Sequence, residues 1–454
     1  MTTQWKHYEN PPWKREDKDD VTVLLNVVER RKSALVSAFM RRIGIKHIDL
    51  GTATTEDAAV GKMYGTPGLC NPVYFTSGQI IRTLDAIRAK TAMTKEEVCE
   101  KYVFVCPSGP CSPCRYGMYT QEYFKAINGA GYRGFRIITF SADIFDMENE
   151  PDDALQFDFE FRVNLLICLI LADAVHAREV ETLPYEKHAG ATRKVTERAE
   201  RMLAAAVESR LYLVKIPWAL RKIAAMYDAI EVTSRRAPKI YITGEIFANN
   251  AHGDPNYGIR EFCIREGCEP NPALFSARVF YEFYRRLDQT WRELRYGNCD
   301  SDRRRLLVRF LVRQRLGLVL TQAFVTSYFG AIRSRTEYPD TAQLFAIGDP
   351  FYNWRVMGGE GNLEVAEAIH QHDRCDGFIS IKPFGCMPSS GISDGVQAKV
   401  QEVYPDLNFI SIETSGDNAT NVLNRVSMVL FKAKKKARAR DAARLGNGGE
   451  HAAA

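Results

Sequence analysis

The sequence predicts an α/β fold, with two Rossmann-like parallel-sheet domains, helical insertions and a cleft between the two. Three observations carry that expectation. Short β-prone runs such as Val21–Val28, Tyr102–Val105 and Phe135–Phe140 alternate with helical text, the rhythm of a parallel sheet with crossover helices. A plan of strand, cysteine-bearing Gly/Pro loop and helix recurs in the second half, beginning at Lys239–Ile246. At 454 residues the chain is too long for one ordinary core, so two or three domains are expected.

Taken in order, residues 1–20 read as a polar N-terminal arm. A first α/β domain over 21–154 opens with a strand at Val21–Val28, a helix over Arg30–Gly44 and a strand at His47–Leu50. Gly61–Gly78 is rich in Gly, Pro and Thr and reads as a loop carrying Cys70. A helix over Gln79–Ala89, capped by Thr76 or Ser77, follows it. The run Tyr102–Val105 then delivers Cys106, Cys111 and Cys114 into a Pro/Ser/Gly loop, with a helix from about Tyr116 to Ala130 next. Residues 155–235 show long helical periods and few turn signals, and read as a helical bridge. The second α/β domain, 236–430, holds an Asn/Gly-rich loop at Phe247–Tyr257, helical text over Ala273–Phe329 and a strand at Gly377–Ile381. It continues with the Cys386 loop, Lys382–Gly391, and a last strand at Asn408–Thr414. Residues 431–454 read as a basic tail.

Composition narrows the class. Hydrophobic residues make up 45% and charged residues 26%, the balance of a soluble globular protein. The first twenty residues hold no apolar core segment, so a cytoplasmic location is expected rather than secretion. Eleven cysteines in such a chain point to metal binding or buried thiols before a disulfide framework. The most apolar stretches, Leu165–Ala172 and Leu316–Phe329, are short or interrupted and suit buried helices, so no membrane span is expected. Much of the net charge of +5 sits in Lys432–Arg444, read as the solvated end of a last helix and a frayed terminus rather than a nucleic-acid site.

The chemistry concentrates in three loops. Cys70 in PGLCNP, Cys111 and Cys114 in GPCSPC, and Cys386 in FGCMP each lie near a strand end or helix start with Gly or Pro close by. Gly and Pro turn backbone N–H groups away from regular ladders, where they can face an anion. A helix N-terminus favours the thiolate that a metal needs. Thiolates gathered this way suit an iron–sulfur centre or zinc, not calcium or magnesium. The C-x4-C-x2-C spacing of Cys106, Cys111 and Cys114 is neither a paired zinc knuckle nor a regular ferredoxin run, so remaining ligands come from elsewhere in the chain. Eight histidines leave few His-ligand alternatives, and the one His-x-Glu, His7-Tyr8-Glu9, sits in the arm, so a deaminase site is not expected. Cys99, Cys168, Cys263 and Cys375 read as small buried hydrophobes, and His176 as a packing residue. No Walker loop is present, so any ATP hydrolysis falls to another protein.

Five stretches together resemble a known family: CNPVYFTSGQII (Cys70–Ile81), GPCSPCRYGMYTQEYFKAINGAGYRGFRIITF (Gly109–Phe140), the ITGEIFANN text and its helix to Glu269, KPFGCMPSSG (Lys382–Gly391) and ETSGDNATNVLNR (Glu413–Arg425). The chain is similar to the 2-hydroxyacyl-CoA dehydratase / benzoyl-CoA reductase component family, specifically to the C-terminal region of the large CoA-enzyme activase-related proteins. That resemblance implies two Rossmann-like domains holding an iron–sulfur cluster between them, either 4Fe–4S or double-cubane 8Fe–9S. The implied ligands are Cys70, one of Cys111 and Cys114, and Cys386, with Cys114 favoured because it precedes Arg115 and the Tyr-Gly-Met-Tyr run. Cys106 is left beside the site or structural. The implied partner is a separate ATP-hydrolysing iron–sulfur activator, a part that the large relatives carry in the same chain. A homodimer or a related heterodimer is the implied assembly, and a small, poorly reducible molecule such as a CoA thioester the implied substrate.

Three charged residues are candidates for catalytic roles. Arg115 either offsets cluster charge or orients an acidic substrate, or else makes a surface or interdomain ion pair. Glu245, after a strand and a glycine, is placed as a proton donor or as a hydrogen-bond partner of a substrate. Lys382 neutralises an anion or serves an ion pair. The competing readings are an iron–sulfur electron-transfer or scaffold subunit without its own substrate, and a structural zinc protein.

Overall fold

The computed structural model describes residues 8, 10, 11, 20–27, 29–108, 114–141, 159–356 and 361–448. The first half runs β1 (Thr22–Leu25), α1 (Arg30–Arg42), β2 (His47–Asp49), α2 (Thr55–Tyr64), α3 (Asn71–Thr91), α4 (Lys95–Lys101), β3 (Tyr102–Ser108), α5 (Tyr119–Gly129) and β4 (Arg136–Ser141). Its strands pair in parallel in the order β2-β1-β3-β4. Three helices follow, α6 (Phe159–Thr182), α7 (Ala191–Glu208) and α8 (Tyr212–Asp228). The second half then runs β5 (Lys239–Gly244), α9 (Ile246–Asn250), α10 (Ile259–Arg265), β6 (Glu269–Pro270), α11 (Phe275–Tyr296) and α12 (Ser301–Ala331). It closes with α13 (Thr341–Gly348), α14 (Gly361–Gln371), β7 (Gly377–Pro383), α15 (Asp394–Val403), β8 (Phe409–Thr414) and α16 (Ala419–Gly448). Its sheet is parallel too, in the order β6-β5-β7-β8.

The expected α/β fold of two parallel sheets flanked by helices is present, and both sheets share one strand order. In each, the first strand lies between the second and third, so successive crossovers leave in opposite directions. A crevice opens where they part, beyond the C-terminal ends of β1 and β3 and again beyond β5 and β7. Strands buried on both faces need uninterrupted apolar text, and β7, GFISIKP, is buried at every position. Helix α6 is buried along most of its length and threads the largest core, packing Leu166, Ile170 and Val175 against α1, α7, α11 and α12.

The structure corrects the sequence reading in three places. Gly61–Gly78 is mostly helix rather than loop, because α2 and α3 occupy all but residues 65–70 of it. Its glycines serve helix crossing: a Cβ on Gly61 would sit 1.9 Å from the Tyr74 carbonyl oxygen, and one on Gly78 would sit 1.7 Å from that of Asp57. Cys70, not Thr76 or Ser77, is the N-cap of α3. In α12, Leu318, Val325 and Phe329 are buried as expected, but Leu316, Val319 and Leu320 on the opposite side are exposed. The basic run at the C-terminus continues α16, where Lys434, Lys436 and Arg440 pair with Glu266, Asp406 and Asp376 at 2.8, 3.4 and 2.7 Å. In the arm, Asn10 exchanges two 2.8 Å hydrogen bonds with the backbone of Ile137, which occupies the open edge of β4. Among the described residues no helix is long and apolar enough to cross a membrane.

Buried charge ties the halves together. Lys32 on α1 is 2% exposed and reaches Glu29 at 3.6 Å, Asp173 at 3.4 Å and the Asn250 side-chain oxygen at 3.4 Å. His252 of the second half lies 3.4 Å from Glu29. Burial alone would raise the Glu29 carboxyl, but Lys32, Arg31, His252 and His176 overcome it and hold the group well below the usual carboxylate range. A depressed carboxyl contributes stability that is present above its unfolded value and is lost as pH falls. Glu29→Gln is therefore expected to flatten the slope of unfolding free energy against pH between about pH 5 and 3, measured by urea titration. An unchanged slope would contradict this. Gly78→Ala is expected to cost about 2–3 kcal/mol by overpacking. Gly395→Ala, where a Cβ meets nothing within 4 Å, is expected to gain about 0.5–1 kcal/mol in the same assay.

Candidate functional site

The two crevices meet at Cys70. Asn71, the next residue, donates its backbone N–H to the Phe384 carbonyl (3.1 Å) and its side-chain amide to the Thr414 carbonyl (3.1 Å). Both acceptors belong to the second half, at the ends of β7 and β8. Gly385 lies so close that a Cβ on it would be 3.2 Å from the Leu69 oxygen and 3.3 Å from the Cys70 Cα, and its φ of +75° also favours glycine. The loop that carries Cys386 thus lies on the backbone that carries Cys70.

The third loop is fastened to the same place. The Arg115 guanidinium donates to the Gly68 carbonyl at 2.6 Å, which ties the turn after Cys114 to the Cys70 loop. Tyr119, on the first turn of α5, places its hydroxyl 2.8 Å from Cys70 Sγ. Tyr116, Tyr119 and Tyr123 stack edge to face behind it, with ring centroids 5.2 and 5.9 Å apart. Burial pushes the Cys70 thiol up to about 11. The Tyr119 hydrogen bond and the Arg115 charge work against that rise, whereas Glu245 and Cys114 add to it. One thiol therefore senses groups from three loops and both halves of the chain.

Glu245 leaves the end of β5, where its N–H donates to the Ile381 carbonyl at 2.9 Å. Its carboxylate caps α9, accepting from the Ala248 N–H at 2.9 Å. On the opposite wall the Cys386 thiol donates to Ser389 Oγ at 3.4 Å, and Ser389 donates to Glu364 at 2.5 Å. Glu364 is fully buried and also accepts from Ser380 at 3.1 Å and Ser393 at 2.7 Å. Lys382 is 2% exposed and pairs with Asp394. Burial lowers its ammonium, an effect opposed by Glu364, Glu413 and Cys386.

Of the sequence-derived site residues, the structure brings Cys70, Cys114, Arg115 and Glu245 within electrostatic reach of one another, and Cys386 lies one residue beyond Gly385 at that seam. Cys111 lies outside the described residues, so Cys114 alone of that pair has a described position. Cys106 is buried, and burial pushes its thiol up to about 12. Cys168 packs in the main core, donating to the Leu35 carbonyl at 3.5 Å, and burial pushes its thiol to about 12 as well. Asn71, Tyr119, Ser389 and Glu364 escaped the sequence reading. Asn71, Tyr119 and Ser389 lie inside the motif stretches, Asn71 beside a loop cysteine and Tyr119 closing the Tyr-Gly-Met-Tyr run, whereas nothing local marked Glu364.

Among the described residues no three His, Cys, Asp or Glu side chains are grouped so as to hold a metal ion. Thiolates about 2.3 Å from one zinc would lie under about 4 Å from each other. A cluster spreads its thiolates over several irons, so its ligands need not touch. The donor chemistry fits such a centre: thiols from separate loops, a glycine seam, a hydroxyl on Cys70 and the cations Arg115 and Lys382 beside the cysteines. No protein-family model matches the chain, and no curated protein matches it.

Tyr119→Phe removes the one neutral hydrogen bond that opposes the rise of the Cys70 thiol. In metal-free protein the variant is expected to alkylate at Cys70 about two- to tenfold more slowly at pH 8, read by mass spectrometry against iodoacetamide exposure. A rate equal to or faster than that of the parent would contradict the assigned contact.

Proposed function

We propose that the chain is the iron–sulfur component of a reductase or dehydratase, receiving low-potential electrons from a separate ATP-hydrolysing iron–sulfur activator and passing them to a small, poorly reducible substrate. A CoA thioester is the substrate class that the family resemblance suggests. The observation that supports this reading is the junction of the Cys70, Cys114 and Cys386 loops where two parallel sheets present their C-terminal crevices to each other. Cys70, Cys114 and Cys386 are the residues that would hold the cluster, with Cys111 as a further thiol. When bound, the cluster supplies single-electron transfer and an iron able to take a substrate oxygen.

The chain's own side chains do the rest. Tyr119 donates to Cys70 Sγ and favours its thiolate, countering the burial that would otherwise keep it protonated. Arg115, at the rim, neutralises negative charge beside Cys70 and orients an acidic substrate. Glu245 sits across the seam, positioned as the proton donor or hydrogen-bond partner of the reduced substrate. Lys382 with Asp394, and Glu364 with its three serines, fix the Cys386 wall by satisfying each buried charge. The neighbouring Phe75 and Phe247 rings, 6.2 Å apart, close the seam with apolar surface from both halves.

Anaerobic purification followed by visible spectroscopy and iron and sulfide analysis tests the reading. Cys70→Ser and Cys386→Ser are expected to lose most bound iron, while Cys168→Ser retains it. A colourless protein with about one zinc per chain would overturn the proposal, as would equal iron retention in all three variants.

A further inference from the structure

Helix α12 has two apolar faces. One packs Leu307, Leu318, Val325 and Phe329 into the protein. The other is open: Val312, Leu316 and Val319 are 61%, 55% and 59% exposed, and Ala323, Thr326 and Gly330 continue the line in the exposed class. The six positions are spaced by four, three, four, three and four residues, the alternation of a coiled-coil seam. Beyond Gly330 there is nothing within 4 Å of where a Cβ would stand, so the small end of the seam faces open space. A helix that buries one apolar stripe and exposes another has a face made for a second helix.

Charge specifies what that helix carries. In seam register Arg313 and Arg315 flank Leu316 on either side, at the positions whose charges select coiled-coil partners. Residues 303–336 contain no Asp or Glu. Over 275–331, eleven arginines meet five acids, a net +6 that exceeds the +5 of the whole chain. Arg304, Arg309, Arg313 and Arg315 enter no ion pair among the described residues, whereas Arg303 and Arg305 pair with Glu293 and Asp302. Arg303, Arg304 and Arg305 lie near the positive end of the helix dipole, where Asp300 and Asp302 offset them, so the charge left over is that of Arg309, Arg313 and Arg315 farther along.

We infer that the exposed face of α12 docks an acidic amphipathic helix of another protein, with apolar residues set into the Val312–Val319 seam and carboxylates facing Arg309, Arg313 and Arg315. A second copy of this chain is disfavoured because the same face would oppose arginine to arginine. Leu306, Val308 and Leu320 widen the apolar face beside the seam, but an anionic membrane is disfavoured because Arg305 and Arg309 interrupt the line itself, where a membrane helix needs a continuous apolar face. This surface is built by residues remote from the cysteine loops, so it stands or falls apart from the proposed chemistry.

The test uses the full-length protein and two labelled synthetic three-heptad peptides, both with Leu on the seam, one with Glu and one with Lys in the flanking positions. Fluorescence anisotropy is expected to show binding of the Glu peptide that weakens severalfold between about 50 and about 300 mM salt. Val312→Asp is expected to abolish it, and Arg313→Glu with Arg315→Glu to weaken it about tenfold. Because all three side chains are exposed, these variants should unfold at the parent's temperature. The charge-reversed protein should in turn bind the Lys peptide. Equal binding of both peptides by the parent, or no binding of either, would overturn the inference. So would association with phosphatidylserine vesicles, or self-association by sedimentation, that Val312→Asp removes.

Discussion

Two hydrogen bonds from one asparagine join the halves of this protein where its candidate chemistry lies. Asn71 is 3% exposed, and its bonds to Phe384 and Thr414 hold the Cys70 turn directly against the ends of β7 and β8. Gly385 completes the closure, since any side chain there would push the Cys386 loop off the Cys70 backbone. Everything proposed for the cysteines depends on this contact. Were the halves to separate by a few ångströms, Cys70 and Cys386 would face separate crevices and share nothing.

A buried polar seam of this kind has a cost in desolvation that its pairings offset. Glu364 receives three serine hydroxyls, Lys382 has Asp394, and Lys32 lies among Glu29, Asp173 and Asn250. The Glu364 and Lys382 groups brace the second half internally, whereas the contacts that cross between the halves, Lys32 to Asn250 and His252 to Glu29, would be lost if one sheet slid over the other. Apolar packing alone specifies less. The Phe75–Phe247 contact would tolerate small shifts, whereas the Asn71 and Gly385 contacts would not.

How much of this was legible in the text depended on the range of the interaction. The α/β rhythm, the strands at β1, β3, β5, β7 and β8, and the run of helices between the two sheets follow from local apolar patterning, and they are present. The Gly61–Gly78 stretch misled because glycine marks both a flexible turn and a close helix crossing, and only the neighbour decides which. The sequence pointed to the cysteine loops by composition, but not to the roles of Tyr119 or Glu364, whose partners Cys70 and Ser389 lie 49 and 25 residues away in the chain. The open face of α12 was hidden for a related reason. Apolar text on both sides of a helix looks buried until the structure shows which side has a neighbour.

The proposed chemistry requires that cysteines from both halves share one inorganic centre. An anaerobic crystal structure with anomalous data collected on either side of the iron edge would locate that centre. A single polynuclear iron peak bounded by Cys70, Cys114 and Cys386 is expected. Iron bound by cysteines of one half alone, or no iron peak in protein purified and crystallised anaerobically, would contradict it.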